Sequence, residues 1–185
     1  MARSSHPEYE STTRSGDTDD PVGVARSIVL QQLTSGPRTR AQLATTLARR
    51  GVPEDAARQV LDRMTEVGLI DDQAFADQWV SSRSGSRGLA RRALRHELTH
   101  RGVDPQAVEE ALGQLDDEME YTAASDLVRR KLRTMDRVEP QARVRRLVSM
   151  LGRKGYSSSL AHRVVGEQVR NLGSGDDSAD FTLGE

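Results

Sequence analysis

Three stretches of this chain can be laid over one another without a gap: LATTLARRGV (43–52), LRHELTHRGV (94–103) and LVSMLGRKGY (147–156). Each ends in a basic residue, a glycine and an apolar residue, and the glycines Gly51, Gly102 and Gly155 lie 51 and 53 residues apart. Eight and four positions before each glycine stand Leu43 and Leu47, Leu94 and Leu98, Leu147 and Leu151. Six and ten positions after it come Ala57 and Leu61, Val108 and Leu112, Ala161 and Val165. Further back, at 27 and 23 positions, are Val24 and Ile28, Phe75 and Trp79, Val128 and Leu132. Each pair has the i, i+4 spacing of one stripe on an amphipathic helix. The chain therefore carries three copies of one helical unit.

The periodicity predicts three helices per unit. Helix A covers 22–34, 72–83 and 118–134; helix B covers 39–50, 89–101 and 140–153; helix C covers 53–67, 105–115 and 158–171. The repeated glycine suits a left-handed position closing helix B, where a β-carbon is costly. Asp71, Asp104 and Ser157 are candidate caps, and Pro53 and Pro105 stand at or near the first position of helix C. The segment SRSGSRG (82–88) is expected to be the most flexible internal loop. No alternating β-branched run and no Asn-Gly hairpin is found. The fold class that follows is all-α: three tandem three-helix repeats, at 22–68, 69–115 and 116–172, in an elongated, curved array.

Composition fits thin helical layers. There are only six aromatic residues, and the absence of cysteine excludes disulfides, thiolate metal sites and a thiol nucleophile. No apolar run is long enough to span a bilayer, and residues 1–21 have no signal-peptide core, so a cytoplasmic location is expected. The net charge of −1 hides a segregation. Tails 1–21 and 173–185 are acidic, Ser-, Asp- and Gly-rich and expected to be disordered, whereas residues 22–172 carry a net +6.

HELTH (96–100) matches the zinc-hydrolase pattern in which two histidines one helical turn apart grip a metal and the glutamate activates water. The repeat register argues against it. His96 and His100 lie about 200° from the inward Leu98, on an open helix face. The other two copies hold no ligands at these places, and the extended form of the motif would require a glycine and a histidine where Val103 and Gln106 stand. Arg95 and Arg101 flank the motif and would repel a dication. No metal, cofactor or catalytic residue is expected.

The arginines are more informative. Residues 83–101 hold six Arg and one acid, with Arg87, Arg91 and Arg95 in an i, i+4 stripe; RRKLR (129–133) and RVRR (143–146) follow, then Arg153 and Lys154. Between them, residues 104–120 carry seven acids and no base. Solvated faces with internal ion pairs, worth about 0–1 kcal/mol each, account for any single cluster; several clusters in neighbouring units point to a polyanion or an acidic protein surface. The pI near 6.4 lies well below the value of about 9 expected of a dedicated nucleic-acid domain, and no aromatic platform accompanies the arginines. A mixed partner, protein together with DNA, fits best.

PRTRAQLATTLARRGV, VLDRMTEVGLIDDQAFADQWV and RGLARRALRHELTHRGV together resemble the RecX family of bacterial regulators of the RecA recombinase. GLIDDQAFA (68–76) is similar to the family's Gly-x-Leu-Asp-Asp-x-x-Phe-Ala stretch, with Ile70 in place of the usual Leu. The resemblance covers residues 22–170 and implies a non-enzymatic modulator; separately, a monomer is expected. Such a protein binds RecA, chiefly its filament on single-stranded DNA, lies along the filament groove, and opposes filament growth, ATP hydrolysis and strand exchange. Under it, Asp71, Asp72, Phe75 and Trp79 shape the junction between the first two repeats, while Gly51, Gly102 and Gly155 close helix B. Charge clustering, rather than the family, nominates the contacts to RecA or DNA: Arg87, Arg91, Arg92, Arg95, Arg129, Arg130, Lys131, Arg133, Arg143, Arg145, Arg146, Arg153 and Lys154. Weak direct DNA binding is expected beside the protein contact. The alternative is a winged-helix transcription regulator, since residues 39–71 resemble a helix-turn-helix core ending in Gly-Leu-Ile; it needs a β-hairpin wing where DDQAFADQWVSSR (71–83) has helical periodicity.

Overall fold

The computed structural model describes residues 20–176, which form nine α-helices and, among the described residues, no strand. The helices are α1 (Pro21–Thr34), α2 (Arg40–Arg49), α3 (Glu54–Glu66), α4 (Asp72–Arg87), α5 (Arg91–His100), α6 (Pro105–Leu112), α7 (Asp117–Leu132), α8 (Pro140–Arg153) and α9 (Ser158–Asp176). The expected tails lie almost wholly outside the described residues, although α9 runs beyond its expected end at 171. No helix among the described residues is long and apolar enough to cross a membrane.

The helix ends are set by local chemistry. Asp71 accepts from the Ala74 N–H at 2.8 Å, Asp104 from Gln106 N–H at 2.8 Å, and the Ser157 hydroxyl from Leu160 N–H at 3.2 Å. Each satisfies an amide that the first helical turn leaves open. At the other end the repeated glycine closes α2, α5 and α8 with φ of +74°, +72° and +93°. Gly51 donates to Ala48 O and Val52 to Leu47 O; Gly102 and Val103 repeat this on Thr99 O and Leu98 O, and Gly155 and Tyr156 on Gly152 O and Leu151 O, all at 2.9–3.2 Å. These paired bonds are the Schellman motif, in which the residue after the glycine folds back on the last inward leucine. That geometry is why an apolar residue follows each repeated glycine.

Contacts gather the described residues into two compact units. The first holds residues up to Pro37 and Leu43–Ile70; the second holds Arg38–Gln42 and everything from Asp71 onward. In the first unit Ala25, Val29, Leu43, Leu47, Val60 and Leu61 form the core. In the second, Ala76, Val80, Leu94, Leu98, Val108 and Leu112 form one cluster, and Val128, Leu147, Leu151, Tyr156, Val164 and Val165 another. Burying one such aliphatic side chain contributes roughly 1.5–3 kcal/mol. Val24 departs from the expected stripe: it is 43% exposed, and Ala25, Ile28 and Val29 face inward instead. Three adjacent apolar or small positions on α1 allow the buried stripe to rotate by one residue, which a two-position pattern does not resolve.

SRSGSRG is not a loop. Helix α4 continues through it to Arg87 and ends at Gly88, which has φ +58° and donates to Ser84 O at 3.0 Å. Ser84 and Ser86 return their hydroxyls to Ser81 O and Ser82 O, and Arg83 lies 4.2 Å from the centre of the Trp79 ring one turn earlier. The helix absorbs serines that sequence propensity assigns to turns.

Within the second unit, one arrangement occurs twice. At the start of α2, Arg40 N–H donates to Asp72 Oδ1 at 2.9 Å and the Thr39 hydroxyl to Arg101 O at 2.7 Å. At the start of α5, Arg91 N–H donates to Glu120 Oε1 at 2.7 Å and Ala90 N–H to Lys154 O at 2.9 Å. Each time an acid on the next helix A caps the turn, and the carbonyl just before the next repeated glycine takes a second bond. The glycines then allow close approach: a β-carbon on Gly102 would overlap that of Ala41, and one on Gly155 would lie 2.6 Å from Ala93 N. Tyr156 completes the second joint by donating to Gly88 O at 3.2 Å, and burial pushes its phenol up to about 12. The third copy is built differently. Glu139 caps α8 from its own chain segment, accepting from Gln141 N–H at 3.0 Å and Ala142 N–H at 2.8 Å. Ten and nine positions before Gly155, the places of Ala41 and Ala93 in the earlier copies, stand the exposed Arg145 and Arg146.

Candidate interaction surface

The thirteen basic residues nominated from the sequence separate by what their side chains meet. Arg91 and Arg95 pair with the acidic stretch 104–120 at the surface. The Arg91 guanidinium pairs with Asp117 and, at 3.2 Å, with Glu120, whose side chain is only 15% exposed. Arg95 makes a two-pronged pair with Glu109, both bonds at 2.7 Å. The hydrogen bond it donates to Asp117 holds Arg91, and those it donates to Glu109 hold Arg95, above the ordinary guanidinium range; Glu109 is correspondingly lowered. These two arginines are committed to internal pairs, and the stripe Arg87–Arg91–Arg95 is divided.

A second group forms one outward tract on α8. Arg145, Arg146 and Arg153 are exposed, and Arg153 is steadied by the Ser149 hydroxyl at 2.7 Å. Where α8 ends, the Lys154 ammonium donates to Arg87 O and the Arg92 guanidinium reaches Gly152 O at 3.4 Å. The tertiary fold thus brings Arg87 and Arg92 beside Arg153 and Lys154, around a helix C-terminus whose carbonyl dipoles favour cations. None of these six side chains has a carboxylate within ion-pair distance among the described residues.

The third group lies elsewhere. Arg129, Arg133 and Arg143 line an open groove of about 610 Å³ against α9. Arg143 is about 200° from Arg145 around α8, so this groove and the outward tract are on opposite sides of that helix. Arg129 keeps a long contact with Asp126 at 3.5 Å; Arg130 and Lys131 are exposed on α7. Gln168, Asn171 and Leu172 of α9, which also line the groove, were not nominated from the sequence because nothing local marks them.

The residues of HELTH are equally specific. Leu98 is fully buried, and His96 and His100 are exposed. Glu97, the residue that would activate water, accepts the Trp79 indole N–H at 2.8 Å. Trp79 stacks on Phe75, with ring centres 5.7 Å apart, and is covered by Arg83 and by Arg101 at 3.8 Å. The motif's carboxylate therefore anchors a cation-lined tryptophan. Asp71 and Asp72 act as the caps described above, and burial raises the Asp72 carboxyl above its usual range despite its bond from Arg40. Helix α4 occupies the place where a winged-helix protein would carry its hairpin, which removes the helix-turn-helix alternative.

Comparison with known proteins agrees with this architecture copy by copy. Residues 25–64, 71–112 and 117–165 match the models of the first, second and third three-helix domains of RecX. A protein named Regulatory protein RecX from Streptomyces coelicolor is 52% identical over 161 residues, covering 83% of this chain and 86% of that protein. Relatives of the same name from Thermobifida fusca and Mycolicibacterium smegmatis are 48% and 47% identical, the first over 84% of both chains and the second over 80% of both. The crystal structure of RecX from Lactobacillus salivarius superposes with a TM-score of 0.73 at 18% identity, over 80% of this chain and 96% of that one. With all three domain models matched in order and relatives at this identity over most of its length, the chain belongs to the RecX family of regulatory proteins.

Proposed function

We propose that this protein is a non-enzymatic modulator of RecA, acting as an inhibitor. It binds the RecA filament on single-stranded DNA along its helical groove and limits filament growth, ATP hydrolysis and strand exchange, as a monomer in the cytoplasm. Through RecA it bears on recombinational DNA repair and the SOS response. Family membership supports the regulatory role, and one structural observation supports the binding mode: six cations, Arg87, Arg92, Arg145, Arg146, Arg153 and Lys154, cluster at the surface without carboxylate partners among the described residues. Such a tract meets an acidic protein surface or phosphates, and several weak contacts along a repeating filament add through effective concentration.

The test is single-stranded-DNA-dependent ATP hydrolysis by RecA with the chain added well below the RecA concentration. Inhibition is expected, and it weakens when Arg145, Arg146 and Arg153 are all changed to Glu without loss of the thermal transition. Unimpaired ATP hydrolysis in the presence of the folded wild-type chain refutes the proposal. Arg91 and Arg95 are poor probes, since reversing either breaks an internal ion pair.

A further inference from the structure

We propose that the groove between α7, α8 and α9 is a binding site for the phosphodiester backbone of a nucleic-acid strand. The inference deepens the reading of the protein as a RecA-filament modulator, by giving the DNA component of that filament its own contact on the third repeat.

Arg129 on α7 and Arg133, which caps the C-terminus of that helix, are one turn apart, and Arg143 enters from α8. Arg143 is held in place by the main chain: its guanidinium donates to Val138 O at 3.1 Å and Asp136 O at 3.4 Å, while its buried Nε has no acceptor among the described residues. A guanidinium positioned by carbonyls keeps its full charge. Among the described residues, the exposed Arg133 has no hydrogen-bond or ion-pair partner, and Arg129 has only the long contact with Asp126. Among the described residues Asp136 is the single carboxylate lining the groove, against three guanidinium groups. Gln168 and Asn171 add neutral amide donors on the α9 side. Leu132 and the half-exposed Leu172 give an apolar wall for a sugar face. Planar guanidinium forks with amide donors match phosphate oxygens. With no aromatic ring on the groove, contact is to the backbone and independent of base sequence.

The experiment is fluorescence anisotropy of a labelled oligothymidylate with the full chain and no RecA present, across a salt titration. Each phosphate contact contributes about 0.7 to the log–log salt slope for a single strand, so Arg129→Gln with Arg133→Gln lowers the slope by about 1.4. Lysine at both positions retains the slope, and Arg58→Gln, which removes an exposed arginine paired with Glu54 in the first unit, leaves it unchanged. A duplex arm names the source: tighter binding of the single strand assigns the groove to single-stranded DNA, tighter binding of the duplex to double-stranded DNA, and arginine dependence in either supports the site. An unchanged slope in the glutamine pair, or no oligonucleotide binding by the wild type at low salt, overturns it. So does a groove whose amide NMR signals respond to Asp177→Asn with Asp180→Asn but not to the oligonucleotide, since the groove then belongs to the chain's own acidic segment. If the wild type inhibits RecA while the glutamine pair keeps the wild-type slope, this inference fails and the proposed function stands; groove-dependent DNA binding with no effect on RecA gives the reverse.

Discussion

Gly102→Ala should destabilise the second unit through two effects that a double-mutant cycle separates. The first is conformational. At φ +72° an L-residue costs roughly 1–2 kcal/mol, of which about 0.4–1 kcal/mol is offset by the stiffer unfolded chain. The second is steric. The new methyl overlaps the Ala41 β-carbon, while the next atom, Ala41 Cα, is 3.9 Å away; forcing an extra methyl into filled space typically costs about 1–3 kcal/mol. The total is about 1–5 kcal/mol. Gly51→Ala has nearly the same φ, +74°, with no atom within 4 Å, and reports the conformational part alone. Ala41→Gly removes the overlapping atom, so Gly102→Ala combined with Ala41→Gly should recover about 1–3 kcal/mol relative to the sum of the single variants. Equilibrium urea unfolding of the full chain, followed by the helical circular dichroism signal, measures this, and both residues belong to the same unit. Additivity within about 0.5 kcal/mol refutes the reasoning, because it means the repeated glycine is needed for φ only. At Gly155 the corresponding rescue by Ala93→Gly should be incomplete, since the added methyl there also meets Ala93 N at 2.6 Å and Cα at 3.1 Å.

Asp72→Asn should match or exceed wild-type stability, because the amide oxygen still accepts from Arg40 N–H and the disfavoured buried charge is gone; Asp72→Ala should lose about 1–2 kcal/mol, read by the same unfolding curves. Glu109 and Glu139 are lowered in the fold, the first by its bond from Arg95 and the second by backbone bonds from Gln141 and Ala142. Their stabilisation is therefore fully present above the unfolded carboxylate range and lost as pH falls through the lowered folded values, so Glu109→Gln should flatten the acid limb of stability against pH. Asp72 has the opposite sign, its contribution growing as pH falls toward and below the unfolded range, and Asp72→Asn should steepen that limb. Trp79→Phe removes the donor to Glu97 and should lower stability by about 1–2 kcal/mol in thermal unfolding, whereas His96→Ala with His100→Ala should leave the transition in place.

What the sequence disclosed and what it concealed divide by range. Inward leucine pairs, left-handed glycines and the caps at Asp71, Asp104 and Ser157 are visible because each is decided within four or five residues. Glu139 before Pro140 was legible by the same rule and was overlooked. The continuation of α4 through residues 82–88 was harder, since serine and glycine favour turns by propensity, and the covering of Trp79 by Arg83 is a matter of packing. The partners of Arg91 and Arg95 were not legible: Asp117 and Glu120 are 26 and 29 residues from Arg91, and Glu109 is 14 from Arg95. Charge clustering along the chain could not say which of its members the fold would neutralise.

Register against the repeat supplies part of that missing information. An arginine in the place where another copy has alanine has no corresponding packing duty, and Arg145 and Arg146 stand where Ala41 and Ala93 accept the following glycine. Their size and charge are incompatible with another joint of the same kind, and Glu139 replaces the cap that a further repeat would have provided. The loss of the small joint residue and the start of the outward cationic tract are thus the same substitution. The same comparison disposes of HELTH: a histidine pair present in one copy only, on the exposed side of a helix whose glutamate is bonded to Trp79, answers to its own surface and not to a shared site. Comparing copies within one chain distinguishes residues that maintain the repeat from residues free to serve a partner, and the third repeat, the most divergent of the three, has the most of the latter.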